Sequence, residues 1–329
     1  MDRLVTTTPG LYPPPDWAER PRIPAAGSPE YRVDAPEAAG YCGRYGRLRR
    51  ELIGWQREAG LDRIVEGQAR WRDRLAHPLV VHDAVETGGT ARYYDGRAYR
   101  EPVVTGDLSY DGSMAATVAA ALATVPVDRF QAVVPGPYTL ADLAAGDRHE
   151  LLAETGSFLA AEIEDFPSIG TLMMLEPGLV SSPPDDGTDA RASEAIDGVA
   201  SATDAPVVVH TYGGAFDEKV HAHLLDADVD AVGYDLVTDH DAALYTVNEY
   251  GTADDVALGV VDARGGIPPS ATVRERVEWF VERTPVADFG TVYATANTEL
   301  AGLPAATARA VLSTLGGVDG PHRDRDRNE

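Results

Sequence analysis

Eight short runs of β-branched and aliphatic residues recur along the chain: Leu4 to Thr8, Arg63 to Glu66, Gln131 to Val134, Thr171 to Leu175, Pro206 to His210, Asp230 to Tyr234, Val256 to Val261 and Thr291 to Ala294. Runs that stay apolar without alternating predict strands covered on both faces. Between them lie stretches with helical periodicity, Ala38 to Glu58, Glu150 to Glu164, Ala192 to Ala202, Ala215 to Leu225, Ala271 to Arg283 and Pro304 to Leu315. Parallel strands need crossover helices, and a sheet closed on itself has no edges, so this rhythm predicts an α/β chain folded as a (β/α)8 barrel. A chain of 329 residues accommodates one such domain with insertions, expected over 1–320, and the charged, apolar-poor residues 321–329 read as a disordered tail. One segment breaks the rhythm. Thr90 to Asp107 carries Asp95-Gly96 and reads as a hairpin excursion after the second strand. Ser181 to Arg191, after the fourth strand, reads as a lid or a solvated loop.

A barrel of this kind carries its chemistry on the loops that follow the strands. The strand ends in chain order are Thr7 and Thr8, Glu66, Pro135, Glu176, His210, Asp235, Asp262 and Asn297, so four carboxylates and a histidine are expected at one mouth. Glu66 precedes Gly67 and serves either a helix amino terminus or a ligand. Glu176 leaves the dry strand Leu172-Met173-Met174-Leu175, and His210 closes Val207-Val208-Val209. Alone, His210 reads as a hydrogen-bonded core histidine; its place at a strand end brings it to the mouth. Pro135-Gly136-Pro137-Tyr138-Thr139 is an abrupt strand-to-helix turn whose prolines fix φ and whose glycine permits close approach, the makings of a ligand-facing floor.

Composition narrows the partners. There are 53 acidic against 28 basic residues, for a formal charge of −25, and Lys219 is the single lysine. Abundant carboxylates with arginine in place of lysine fit a protein working in concentrated salt, and they disfavour a nucleic acid, whose phosphates need clustered positive charge. Cys42 is the one cysteine, which removes an intramolecular disulfide and any CxxC metal framework. No apolar signal core follows Met1-Asp2-Arg3, and Met114 to Ala123 is too short to span a bilayer, so a soluble, cytoplasmic protein with no membrane contact is expected. Other patterns lead away from function. His221 and His223 fall on different helix faces, and Asp226, Asp228 and Asp230 open like a calcium loop but continue with Ala231 and Val237 where that loop needs glycine and glutamate. Arg44, Arg47, Arg49 and Arg50 form a basic patch that either holds an anionic ligand such as a polyglutamate tail or, as expected here, pairs with helix acids.

Several segments, in order, resemble the cobalamin-independent methionine synthases: Thr6 to Pro13, Gly60 to Gln68, Pro135 to Ala141, Leu175-Glu176-Pro177, Val209-His210-Thr211-Tyr212-Gly213, Gly233-Tyr234-Asp235, Leu258 to Ala263 and Asn297-Thr298-Glu299-Leu300. The chain resembles haloarchaeal-type members most, and the same superfamily includes the uroporphyrinogen decarboxylase barrels. The resemblance implies an enzyme, a methyltransferase of methionine biosynthesis that moves a methyl group from a folate or methylcorrinoid donor to homocysteine. It implies zinc on His210 and Asp235, catalytic contacts from Glu176 and Glu66, and a substrate pocket of Thr8, Pro135, Gly136, Tyr138, Tyr212 and Asn297. The family's zinc site also uses two cysteines. Tyr212 stands where the first belongs, the loop from Asn297 to Gly302 lacks the second, and Leu11 and Leu175 replace polar contacts to the amino acid. The implied roles are therefore methyl transfer as one chain of a two-chain enzyme with a partner methionine synthase barrel, a non-catalytic barrel that binds methyltetrahydrofolate or the partner, or a uroporphyrinogen decarboxylase-like enzyme.

Overall fold

Burial on both faces is what the apolar runs require, and all eight form strands of one parallel sheet. The structure, a computed structural model, describes residues 1–18, 39–264, 266–285 and 288–318. The first strand and helix are β1 (Arg3–Thr6) and α1 (Ala39–Ala59), followed by β2 (Ile64–Val65) and the short α2 (His77–Val80). The excursion then forms a separate antiparallel pair, β3 (Val85–Arg92) and β4 (Ala98–Val104), with Gly96 at φ 81° in its turn. After α3 (Ser113–Leu122) the alternation resumes with β5 (Phe130–Pro135), α4 (Pro137–Leu143), α5 (Arg148–Glu164), β6 (Thr171–Leu175), α6 (Gly178–Ser181) and α7 (Thr188–Ala200). It continues through β7 (Val207–His210), α8 (Glu218–Leu224), β8 (Ala231–Asp235), α9 (His240–Tyr250), β9 (Asp255–Val261), α10 (Ser270–Arg283), β10 (Thr291–Ala296) and α11 (Ala305–Gly316).

In the strand order β1-β10-β9-β8-β7-β6-β5-β2, the strands from β5 to β10 lie beside their neighbours in sequence, the usual outcome of short connections. The sheet curls, and the residues leading into β2 reach the end of β1: the N–H groups of Asp62 and Arg63 donate to the Thr6 carbonyl, each at 3.1 Å, and the Thr6 N–H donates to Asp62 Oδ2 at 2.8 Å. Gln131 ties the same seam from β5, accepting from the Thr7 hydroxyl at 2.8 Å and donating to the Thr8 carbonyl at 3.0 Å.

Some of the acidic surplus is spent on helix starts. Asp147, Asp217 and Asp239 each accept from a backbone N–H in the first turn of α5, α8 and α9, where a carboxylate also opposes the helix dipole. Asp230 accepts from Val207 N at 2.7 Å, so the calcium-like run is strand-edge bonding. His221 is buried against the Tyr234 hydroxyl, whereas His223 faces Asp189 and Asp226, on another face. Arg49 pairs with Glu66 beyond its own helix. Ser181 to Arg191 is partly helical, ending α6 and starting α7. The Cys42 side chain, the Arg44 side chain and the tail from Pro321 lie outside the described residues. Among those described, no helix is long and apolar enough to cross a membrane.

Where α11 ends on α1 the backbones touch: a Cβ on Gly316 would sit 1.7 Å from the Ala59 carbonyl oxygen. Gly316→Ala must push two helices apart, and a loss of about 1–3 kcal/mol is expected in urea unfolding, the usual range for overpacking a close contact.

Candidate functional site

The turn after β5 is built around a buried carboxylate. Glu176, fully buried at the end of β6, accepts from Tyr138 N at 2.9 Å, Thr139 N at 2.8 Å and the Thr139 hydroxyl at 2.6 Å. These are the orphan donors at the start of α4, so Glu176 caps that helix from the neighbouring strand. Gly136 is required there, since a Cβ would come within 2.1 Å of the Glu176 carboxyl. Burial raises the Glu176 acid from 4.5 to about 7, against the three donors that favour the anion. Pro135, Gly136 and Tyr138 thus gather around Glu176, and the Tyr138 hydroxyl is taken by the Ser182 carbonyl and Arg148.

A second network joins the ends of β7, β8 and β10. The fully buried His210 makes a 3.0 Å hydrogen bond from Nε2 to the Asn297 carbonyl, which acts only as an acceptor, so the proton sits on Nε2. Burial lowers the His210 pKa and keeps the imidazole neutral. Its other nitrogen, Nδ1, has no partner and lies over Gly233, where a Cβ would approach to 2.4 Å. Both oxygens of Asp235 are committed. Oδ1 accepts from Val237 N and Thr238 N at 3.0 Å, and Oδ2 from Gly213 N at 2.9 Å, the Thr238 hydroxyl at 2.6 Å and Asn297 Nδ2 at 3.3 Å. Zinc needs lone pairs converging from three or four ligands. Here the carboxylate lone pairs are occupied, the free imidazole nitrogen faces a strand glycine, and no group of three or more histidine, cysteine or acidic side chains able to hold a metal occurs among the described residues. The residues present do not fit the metal.

Two predicted residues stand apart from both networks. The Thr8 hydroxyl bonds the Tyr12 hydroxyl at 2.7 Å. Glu66 pairs with Arg49 Nε at 2.9 Å and accepts from Gln68 N at 2.7 Å. Gln68 in turn receives the Leu11 N–H, and both Leu11 and Gln68 hold left-handed backbone, φ 49° and 48°, a conformation that costs a non-glycine residue energy and gathers at functional loops.

Tyr212 leads to a group that the strand-end reading missed. The β3–β4 hairpin folds over the mouth, and the Tyr93 hydroxyl at its tip meets the Tyr212 hydroxyl at 2.9 Å. Beneath Tyr93, with its guanidinium 4.2 Å from the ring centre, lies buried Arg74, ion-paired with Glu299 and with Asp95, the latter at 2.6 Å. Burial would lower the Arg74 pKa, but Glu299, Tyr93 and Asp95 together raise it and hold the guanidinium charged. Burial and the nearby Glu299 push both phenols well above their ordinary range, so they remain neutral. Tyr94 donates to Asp142 at 3.0 Å and Arg97 donates to the Gly302 carbonyl at 3.0 Å, completing the roof. A cavity of about 370 Å³ remains under it. Glu299 lies within a segment that carries the family resemblance and the tip reads as turn chemistry, but their sequence separation hides that they meet.

The family described as "Cobalamin-independent synthase, Catalytic domain" matches residues 4–291. Among curated proteins, the 5-methyltetrahydropteroyltriglutamate--homocysteine methyltransferase of Mycobacterium bovis is 27% identical over 289 residues, covering 82% of this chain and 36% of that protein. The protein of the same name from Streptomyces coelicolor is 26% identical over 292 residues, with the same coverage. The chain therefore spans about a third of the length of these relatives. Among solved structures, a B12-independent methionine synthase from Shewanella sp. W3-18-1, in complex with selenomethionine, superposes with a TM-score of 0.75 at 16% identity, over 95% of this chain and 96% of that one, a likeness of fold.

Proposed function

Because this chain belongs to the cobalamin-independent synthase catalytic-domain family, we propose that it serves methyl transfer to homocysteine in methionine formation, as one chain of a two-chain enzyme. In this reading the curled sheet is a closed (β/α)8 barrel forming a single domain over 1–320. The methyl donor is a folate or methylcorrinoid, and the high-salt composition reflects the protein's working medium. The observation that carries the two-chain reading is the commitment of Asp235 to five hydrogen-bond donors beside a histidine whose free nitrogen faces Gly233. Such a pair does not activate a thiol through zinc, so the metal belongs to a partner barrel with a complete thiolate set, while this chain contributes a ligand-holding mouth. A non-catalytic, folate- or partner-binding barrel is the second reading, favoured by the commitment of Glu176 to the start of α4.

Methionine formation from methyltetrahydrofolate and homocysteine separates these readings. The purified chain alone is expected to be inactive and to carry less than stoichiometric zinc by elemental analysis. Addition of a partner barrel with the full ligand set is expected to give activity above that of the partner alone. Unchanged partner activity supports the second reading. Stoichiometric zinc in the lone chain, lost on His210→Ala, together with unaided methionine formation, overturns both.

A further inference from the structure

The cavity under the hairpin tip stops short of the strand ends. Tyr93, Tyr212, Arg74 and Glu299 line it, whereas Glu176, His210 and Asp235, none more than 1% exposed, do not. Two phenols make the partition. The Tyr93 and Tyr212 hydroxyls meet at 2.9 Å, both also hydrogen-bond with Glu299, and the Tyr212 ring centre lies 6.2 Å from that of buried His210. Of the groups in this wall, Arg74 and Glu299 are a buried ion pair that is costly to break. The tyrosines are neutral, and they border a void of about 370 Å³, so a ring has open space to turn into where a packed core would leave none. The hairpin backbone does not have to follow. Arg100 holds it to Asp73 through its backbone N–H at 3.0 Å, Nε at 3.1 Å and Nη2 at 2.5 Å, and the Tyr99 hydroxyl donates to the Leu143 carbonyl at 2.8 Å.

We propose that Tyr93 and Tyr212 form an aromatic gate between this outer cavity and the strand-end residues of the mouth. Their side chains turn into the cavity to admit a ligand and close on each other through the hydroxyl pair, while the anchored hairpin stays in place. Opening exchanges a few neutral hydrogen bonds for contacts with water in the cavity, so it lies far below global unfolding in free energy. The gate rests on the reading of the mouth as a ligand site. Its test needs neither ligand nor methyl transfer, so a gate without activity and activity without a gate are separate results.

Thiol labelling reads the opening directly. Thr295 lies two residues before Asn297, on the same face by strand alternation; it is fully buried and its hydroxyl has no partner, so Thr295→Cys keeps the volume and loses no hydrogen bond. In a Cys42→Ser background, alkylation of this thiol by iodoacetamide is expected to be slow and flat in low urea, the mark of a local opening that exposes little surface. Tyr93→Phe and Tyr212→Phe each remove one hydroxyl of the gate and are expected to speed labelling by about three- to tenfold, the worth of one neutral hydrogen bond. Tyr245→Phe, on exposed α9, is expected to leave the rate unchanged. His210→Cys supplies a second thiol at another strand end and is expected to show the same dependence on the two tyrosines. Labelling that follows the urea dependence of global unfolding, labelling as fast as that of an exposed thiol, or equal rates with and without the gate hydroxyls overturns the assignment.

Discussion

Glu176→Ala is expected to destabilise the protein by about 3–5 kcal/mol in urea unfolding, among the largest effects a single change produces. Three donors lose their acceptor at once, two of them backbone N–H groups with no helical partner of their own, and a void opens against Gly136. Glu176→Gln keeps the volume and one acceptor oxygen and is expected to cost about 1–3 kcal/mol. The pH dependence has a definite sign. Because burial raises the acid from 4.5 to about 7, the folded state holds a proton that the unfolded chain releases. The stability linked to that proton is fully present below the unfolded value and is lost as pH rises through about 7, at up to about 1.4 kcal/mol per pH unit. Melting temperatures taken between pH 4.5 and 7 should therefore show a component that falls with pH in the wild type and is missing in Glu176→Gln. The same slope in both proteins would remove Glu176 as its source.

That a strand-end glutamate caps a helix, and is not free at the mouth, marks where the sequence stops being legible. The eight strands could be read because burial on both faces imposes an unbroken apolar run, as in Thr171 to Leu175, and that constraint is local. The hairpin could be read from Asp95-Gly96 for the same reason. Helices α4 and α9 were harder. The first is seven residues long and starts at Pro137, and the second begins with His240-Asp241 and lacks a wide apolar face. The strand ends named the residues at the mouth but not their commitments. Whether Asp235 has a lone pair to spare depends on Gly213, Thr238 and Asn297 arriving from three loops, and local pattern does not encode that convergence. The hairpin tip is the extreme case, since Tyr93 and Tyr212 meet across 119 residues and Arg74 and Glu299 across 225.

Arg74→Ala is expected to cost about 3–5 kcal/mol, because it strips the cation from a carboxylate that stays buried. The effect is not confined to stability. Arg74 holds the loop after β2, the hairpin tip through Asp95 and the loop after β10 through Glu299, and its own φ of 56° is a strained conformation that those contacts must maintain. Without it, Tyr93 loses the guanidinium beneath its ring, and the tip retains only the contacts of Tyr93, Tyr94 and Arg97 to the mouth. Hydrogen exchange should then rise through Tyr93 to Arg97 and the Thr298 to Gly302 loop, while β6 to β9, buried on both faces, keep their protection relative to the lowered global stability. Asp95→Asn provides the control, since it weakens the tip contact and leaves the Arg74–Glu299 pair intact. It is expected to speed exchange at the tip with a stability loss smaller than that of Arg74→Ala. If both variants lost stability equally and neither changed exchange at the tip, the ion pairs would be packing features alone and the hairpin would not depend on them to close over the mouth.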